Sequence, residues 1–144
     1  MGRKKYFAAL AAAGMIGAMA VGSVFNSYAA DGWTKSNDHW TYIYQGKTYT
    51  GWLETSEGKY YMDLSDGHMT TGFKQIDGKW YFFRPNGVMA QNRWANPEYG
   101  KWYYFLDDGT MVTGWLKIGN DYYFMRGDGS MGTGWRQMEG SWYY

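Results

Sequence analysis

The sequence predicts an all-β protein, a solenoid of stacked β-hairpin repeats of about 20–21 residues each. Two observations carry this prediction. A leading aromatic residue recurs at intervals of 21, 21, 21 and 20 residues, at Trp52, Phe73, Trp94, Trp115 and Trp135. Each unit also keeps an aromatic triplet, a turn glycine and a methionine two residues later, at Gly67 and Met69, Gly87 and Met89, Gly109 and Met111, Gly129 and Met131. A fixed period in this range is typical of repeat arrays, whose units bury their faces against each other.

Residues 1–29 differ from the rest of the chain, and we interpret them as a secretory signal peptide. Arg3, Lys4 and Lys5 precede an apolar run rich in Ala, Gly and Met, and small residues at Ser27 and Ala29 favour cleavage after Ala29. The alternative is an uncleaved membrane anchor, because the apolar run approaches the length that spans a bilayer. We therefore expect a secreted protein that meets the membrane only through its signal peptide.

The remaining residues, 30–144, have an unusual composition. Of these 115 residues 27 are aromatic, none is cysteine, and the net charge is −2. Small exported domains usually rely on disulfides, so stacked aromatic rings are expected to hold this fold together. A net negative charge does not favour binding to the phosphate backbone of nucleic acid, so we expect no nucleic-acid partner.

The repeat domain is predicted to cover residues 30–144. It begins with a degenerate unit, 31–50, in which Trp33 and Trp40 are seven residues apart, as in the later units. Four full units and one partial unit follow, at 51–71, 72–92, 93–113, 114–133 and 134–144. The last unit stops at Trp142-Tyr143-Tyr144, so either the sequence is a fragment or another chain covers that edge.

Within a unit, the stretch from Gly100 to Trp115 predicts one hairpin. Trp102–Phe105 form an aromatic strand, Asp107-Asp108-Gly109 form the turn, and Met111–Thr113 form the return strand. Successive side chains of a strand point to opposite sides, so both faces of the hairpin are aromatic. Such a hairpin needs a neighbour on each face.

The sequence contains no arrangement typical of an active site. His39 and His68 are the only histidines, neither lies in a metal-ligand spacing, and both are expected at the surface. The carboxylates of Asp66, Asp108 and Asp128 recur with the turns, which explains them without acid–base chemistry. We expect no catalytic residues, no metal, no cofactor and no enzymatic activity.

Binding is better supported than catalysis. Aromatic rings from adjacent hairpins, with a thioether and few hydrogen-bonding groups, suit a quaternary ammonium, which offers positive charge and methyl groups but no donor. The alternative for any single ring is that it belongs to the core. A sealed core, however, favours Leu, Ile and Val over the rings found here.

The motif Gly-Trp-x6-Trp-Tyr-Tyr-Phe-x-x-Asp-Gly-x-Met-x-Thr-Gly-Trp, best kept between Trp94 and Trp115, resembles the choline-binding, or cell-wall-binding, repeat of Gram-positive surface proteins. The resemblance covers the chain from Asp31 onward, with one extra residue between Trp94 and Trp102. It implies a left-handed β-solenoid of the choline-binding-module type and a secreted, cell-wall-associated protein of a Gram-positive bacterium. It also implies non-covalent attachment to choline or phosphocholine of teichoic acid, and a possible homodimer through the C-terminal repeat.

In that family a choline cage combines the leading aromatic, the first aromatic of the triplet and the middle aromatic of the next triplet. The resemblance therefore implies a best cage at Trp94, Trp102 and Tyr123, with Met111 as its floor. Further cages are implied for four sets of rings: Trp115, Tyr122 and Tyr143; Phe73, Trp80 and Tyr103; Trp52, Tyr60 and Tyr81; and, at the degenerate end, Trp33, Trp40 and Tyr61. Phe and Tyr hold cations less well than Trp.

Two other functions stay open. Related repeats of similar pattern bind carbohydrate, such as a glucan or a cell-surface glycan. Sugars stack on rings but also need polar neighbours, which Lys74, Gln75, Lys117, Arg136 and Gln137 could supply. The remaining alternative is a purely structural stalk or dimerising spacer.

Overall fold

The computed structural model describes residues 30–138 and 140–144. All the helices and strands assigned in these residues are β-strands, with no α-helix among them. The thirteen strands are β1 (Gly32–Ser36), β2 (His39–Tyr44), β3 (Lys47–Thr48), β4 (Gly51–Thr55), β5 (Gly58–Met62), β6 (Gly72–Ile76), β7 (Lys79–Phe83), β8 (Arg93–Glu98), β9 (Lys101–Phe105), β10 (Gly114–Ile118), β11 (Asp121–Met125), β12 (Arg136–Met138) and β13 (Ser141–Tyr143). In this part of the chain no helix has the length and apolar character needed to cross a membrane. The predicted signal peptide lies outside the described residues.

The strands pair in sequence order as antiparallel hairpins. The first hairpin is β1–β2, extended by β3, and the second to sixth hairpins are β4–β5, β6–β7, β8–β9, β10–β11 and β12–β13. This confirms the predicted fold class, an all-β array of hairpin repeats. Its handedness stays a prediction.

The hairpins close through short tips. In the third hairpin Ile76 pairs with Lys79, and the two residues between them, Asp77 and Gly78, have φ of 49° and 78°. Positive φ at both central residues is typical of a type I′ turn, whose twist matches that of the strands. In the fourth hairpin the register shifts between Ala95 and Glu98, where a β-bulge takes up the extra residue.

The predicted hairpin with a turn at Asp107-Asp108-Gly109 is wrong. The aromatic strand β9 pairs with β8, which precedes it, so that Trp94 lies opposite Tyr104. Met111 makes one isolated bridge to Phe105, and Val112 and Thr113 lie outside the strands. The Asp-Asp-Gly segment does turn the chain, but it leads from the fourth hairpin towards the fifth. The shorter tip between β8 and β9 closes the hairpin instead, because it brings two long strands into register.

Each connecting segment is held by a repeated pair of backbone hydrogen bonds. In each pair the methionine N–H donates to a carbonyl of the preceding hairpin, as from Met111 to Trp80 at 2.8 Å. The next residue then donates back to its own hairpin, as from Val112 to Tyr104 at 2.9 Å. The methionine bonds recur from Met69 to Trp40, Met89 to Lys59 and Met131 to Trp102, at 2.7 Å each.

These bonds define equivalent positions in every hairpin. We call the residue whose carbonyl accepts the methionine N–H the outer position, and the residue after it the inner position. The outer positions are Trp40, Lys59, Trp80, Trp102 and, by register, Tyr122; the inner aromatics are Tyr60, Tyr81, Tyr103, Tyr123 and Tyr143. Because side chains alternate along a strand, the leading and outer residues share one face of a hairpin and the inner residue points to the other.

The chain divides into two compact units, each with its own core. Unit 1 comprises residues 30–71 and Pro85–Met89, and its core is Tyr42, Leu53, Tyr60, Met62 and Val88. Unit 2 comprises Gly72–Arg84 and Ala90–Tyr144, and its core includes Ala90, Tyr103 and Phe105, with Phe73 and Phe82 packed against them. In both units the second strands of the hairpins supply fully buried side chains, namely Met62, Phe83, Phe105 and Met125.

Candidate binding site

Two of the three rings predicted to form the best cage meet in unit 2. The ring of Trp94 meets the ring of Tyr123 from the next hairpin, with centroids 5.0 Å apart and planes at 68°. Across its own hairpin Trp94 also packs on Tyr104 at 5.2 Å. Trp102, at the outer position on the same face, is 45% exposed. The group therefore has two packed rings and one ring open to solvent.

The group of Trp115, Tyr122 and Tyr143 repeats this geometry. The Trp115 and Tyr143 rings are 5.0 Å apart at 63°, and Tyr122 is 61% exposed at the outer position. All three rings line a cavity of about 380 Å³, together with Tyr123 and Met131. A trimethylammonium group is small enough to enter a cavity of this size.

The third group, Phe73, Trp80 and Tyr103, has the same arrangement with a smaller leading ring. Phe73 lies 4.9 Å from Tyr103 at 65°, and Trp80 is exposed. Phe73 also packs on Phe82 at 5.2 Å, within the core of unit 2. Burial raises the pKa of the Tyr103 hydroxyl, with Glu98 adding to the rise, so this ring stays neutral.

The group predicted at the degenerate end needs a correction. Trp33 lies 6.4 Å from Trp40 as expected, but its partner in the next hairpin is Tyr60, at 4.8 Å and 62°, and not Tyr61. Tyr61 instead packs on Trp52 of its own hairpin at 5.1 Å. Tyr60 is the inner residue of β5 and Tyr61 the one after it, so the aromatic triplet of the second hairpin begins one position later than that of the fourth hairpin.

For the same reason Tyr60 does not share a face with Trp52, the leading residue of its predicted group. Leu53 pairs with Tyr60 and Trp52 with Tyr61, so Trp52 and Tyr60 point to opposite faces of the second hairpin. The outer position beside Trp52 is held by Lys59, whose side chain carries no aromatic ring. Tyr81 belongs to unit 2, and its role as a wall for Trp52 stays a prediction.

Met111 lies in the group of Phe73 and Tyr103. Its side chain packs against the cluster of Ala90, Tyr103 and Phe105, and its N–H donates to Trp80. Its sulfur also lies directly beneath the turn glycine Gly129, where a Cβ would collide with it. The predicted role of Met111 as the floor of the Trp94 group stays a prediction.

Two of the polar residues expected at a sugar site, Gln75 and Lys117, lie beside outer rings. Gln75 faces Trp80 across the third hairpin, and its amide donates to the carbonyl of Gly78 at 3.3 Å. The ammonium of Lys117 lies 5.1 Å from the centroid of the Tyr122 ring, within cation–π distance.

The two histidines form a feature that sequence reasoning missed. His39 and His68 stack in parallel with centroids 4.3 Å apart, and Nδ1 of His68 lies 3.0 Å from Asp66. A bridge between Thr41 and His68 brings the two segments together. In the part of the chain that the structure describes, no three His, Cys, Asp or Glu side chains are grouped to hold a metal ion.

The turn carboxylates hold the backbone of the connecting segments. Asp108 accepts hydrogen bonds from the hydroxyl and N–H of Thr110 at 2.6 and 2.9 Å, and Asp128 does the same with Ser130. The hydroxyl bond, followed by the backbone bond, holds the pKa of each carboxyl below its ordinary value. These residues therefore have a structural task, as their recurrence with the turns indicates.

The geometry defines a class of protein: a repeat module of hairpins whose leading rings meet the inner tyrosine of the next hairpin beside an exposed outer ring. Family models for the choline-binding repeat match residues 70–113 and 99–133, and the model for the cell wall binding repeat matches residues 50–69. The chain belongs to this choline-binding, cell-wall-binding repeat family.

Solved structures agree with the family. CbpJ from Streptococcus pneumoniae TIGR4 is 35% identical with a TM-score of 0.73, over 79% of this chain and 42% of that one. Choline binding protein F from Streptococcus pneumoniae is 41% identical with a TM-score of 0.71, over 80% and 39%. The pneumococcal cell wall endolysin from phage Cp-1, solved in complex with choline, is 34% identical with a TM-score of 0.57, over 68% and 29%.

This chain thus spans less than half the length of each of these three solved proteins. Among curated protein sequences no match was found.

Proposed function

We propose that the chain is a non-catalytic binding module that attaches to choline residues of cell-wall teichoic acid. The observation that carries the proposal is the repeated ring geometry. In four hairpins a leading ring meets an inner tyrosine of the next hairpin at 4.8 to 5.0 Å, beside an exposed outer ring. The leading residues are Trp33, Phe73, Trp94 and Trp115.

The chemistry of these groups fits a quaternary ammonium. Each ring presents a negative face that attracts a cation, with about 0.5–2 kcal/mol gained per ring. Burying the methyl groups of choline adds about 0.8 kcal/mol for each carbon removed from water. A single site of this kind is weak, and several sites on one chain strengthen attachment to a polymer that carries many choline groups.

The proposed sites follow the geometry of the structure. They are Trp94, Trp102 and Tyr123; Trp115, Tyr122 and Tyr143; Phe73, Trp80 and Tyr103, with Met111 beside them; and Trp33, Trp40 and Tyr60. The Trp94 and Trp33 groups each have two tryptophan rings, which are the best hosts for a cation. The Trp94 group ranks first because its Tyr123 is only partly buried, whereas Tyr60 belongs to the core of unit 1. The Phe73 group ranks lower since its leading ring is phenylalanine and lies against the core.

Export and assembly belong to the same proposal. We infer that residues 1–29 direct secretion and are removed, so that the module acts at the cell wall of a Gram-positive bacterium. The sixth hairpin carries exposed rings at Trp135, Trp142 and Tyr144, which support the homodimer expected through the C-terminal repeat. Sedimentation velocity of the purified chain tests this dimer, and a monomer at all concentrations contradicts it.

Calorimetric titration with choline tests the binding function. The purified chain is expected to bind with millimolar affinity, and Trp102→Ala is expected to lose one site without unfolding, because the ring is 45% exposed. Tyr99→Ala is the matched control, since Tyr99 is a fully exposed aromatic outside every ring group. No heat from choline with folded protein contradicts the proposal, and heat from a cell-surface glycan instead favours the carbohydrate function.

A further inference from the structure

One of the proposed sites has a lysine beside its outer ring with no carboxylate partner among the described residues. The Trp33 site also has a lysine across from its outer ring, Lys35, but Asp38 lies 3.2 Å from that ammonium. Lys117 on β10 pairs with Tyr122 on β11, and its ammonium lies 5.1 Å from the centre of that ring. Alternation along β10 places Lys117 on the same face as Trp115, two residues earlier. The rings of Trp115, Tyr122 and Tyr143 line the cavity of about 380 Å³. A positive charge therefore stands beside one wall of this cavity.

The charge of Lys117 is not neutralised by a described carboxylate. Lys35, Lys79 and Lys101 each have a carboxylate within 4.0 Å, whereas Lys117 forms no such ion pair within residues 30–138 and 140–144. Arg126 also approaches the cavity, through its 2.8 Å hydrogen bond to the carbonyl of Met131. The charge of Arg126, however, lies close to that of Asp128.

The corresponding place in the third and fourth hairpins of unit 2 is neutral. Gln75 lies across from the outer ring Trp80 in the third hairpin. In the fourth hairpin Asn96 lies in the bulge beside Trp102, and its amide donates to the carbonyl of Lys101 at 2.9 Å. A neutral amide exerts no net force on a cation, so these two sites differ from the Trp115 site in charge as well as in ring type.

We propose that Lys117 makes the Trp115, Tyr122 and Tyr143 site select phosphocholine over free choline. The inference rests on the proposed function, since it assumes that these rings hold a quaternary ammonium. Free choline is a pure cation, so the lysine ammonium repels it. Phosphocholine also carries a phosphate, two carbons from its quaternary ammonium, and the lysine ammonium attracts this phosphate. Repulsion of choline and attraction of phosphocholine both raise the ratio of the phosphocholine affinity to the choline affinity.

The test isolates this site and compares two ligands. A background chain carries Trp40→Ala, Trp80→Ala and Trp102→Ala, which removes the exposed outer rings of the other groups. Calorimetry gives the affinities for phosphocholine and choline in this background, with and without Lys117→Gln. At low salt we expect the phosphocholine-to-choline affinity ratio to be about three- to tenfold lower in the Lys117→Gln variant. A change of this size corresponds to the interaction between two charges near a protein surface.

Three controls make the result specific. Lys117→Arg is expected to keep the ratio, because it keeps the charge. Lys47→Gln removes the same charge from an exposed position on β3, outside every ring group, and is expected to leave the ratio unchanged. Added salt is expected to lower the ratio in the background chain but not in its Lys117→Gln form, because salt screens exposed charges.

The outcomes separate this inference from the function on which it rests. If the wild-type chain binds neither ligand, the proposed function itself fails. If the wild-type chain binds both ligands but the background chain binds neither, or if Lys117→Gln leaves the ratio unchanged, the role of Lys117 is overturned and the choline function stands.

Discussion

Replacing Gly129 by alanine tests how the connecting segments pack. Gly129 has φ of 80°, a left-handed conformation that costs an alanine about 1–2 kcal/mol. Its new Cβ would also collide with the sulfur and neighbouring carbons of Met111, whose side chain packs against Tyr103 and Phe105. Overpacking of this kind costs about 1–3 kcal/mol, at the lower end where a flexible methionine can move. We expect Gly129→Ala to lower the free energy of unfolding by about 2–4 kcal/mol.

Gly114 provides a matched control within the same unit. Its φ is 79°, and a Cβ there would meet nothing within 4 Å, so Gly114→Ala carries only the backbone cost of about 1–2 kcal/mol. Urea unfolding followed by tryptophan fluorescence compares the two variants, and Met111→Ala in the Gly129→Ala chain reports their coupling. Equal losses in the two glycine variants, with no coupling to Met111, would refute the packing of methionine beneath the turn.

Two further predictions concern pH and the core. The pKa of Asp108 and of Asp128 is lowered in the folded chain, so the stability they contribute is present above the ordinary pKa of about 3.9 and is lost as pH falls through the lowered values. Replacing both residues by asparagine is expected to flatten the acid side of a thermal stability profile, and an unchanged slope would contradict their role. Phe105→Ala removes a fully buried ring and is expected to cost about 3–5 kcal/mol in urea unfolding. Leu106→Ala, at a residue 44% exposed, is expected to cost less than about 0.5 kcal/mol, and similar losses would contradict the assigned core.

The repeat period was enough to predict the fold class but not the pairing of strands. The Asp-Asp-Gly segment after β9 is a true turn, and Gly109 has the positive φ of 84° that it needs. Turn chemistry alone does not say whether a turn closes a hairpin or links two of them. The Asp77-Gly78 tip between Phe73 and Trp80 carried the stronger hairpin signal, since Asp-Gly flanked by strand residues is typical of a type I′ turn.

The candidate site was predictable where the aromatic triplet starts at the outer position. In the fourth and fifth hairpins it does, at Trp102 and Tyr122, and the expected rings meet. In the second hairpin Lys59 takes the outer position, so the first aromatic of that triplet, Tyr60, is the inner residue. Burial shows which residue holds the outer position. Phe105 lies three residues after the outer residue Trp102, Met62 lies three residues after the outer residue Lys59, and both are fully buried. Burial follows from packing, which the aromatic pattern alone does not contain.

A crystal structure of the chain grown with choline tests the central claim most directly. The account predicts a trimethylammonium group against the rings of Trp94, Trp102 and Tyr123, with its methyl groups facing the ring faces. It also predicts choline in the cavity lined by Trp115 and Tyr143. Choline bound away from every leading ring, or none bound at a concentration that saturates the heat of binding, would contradict the account.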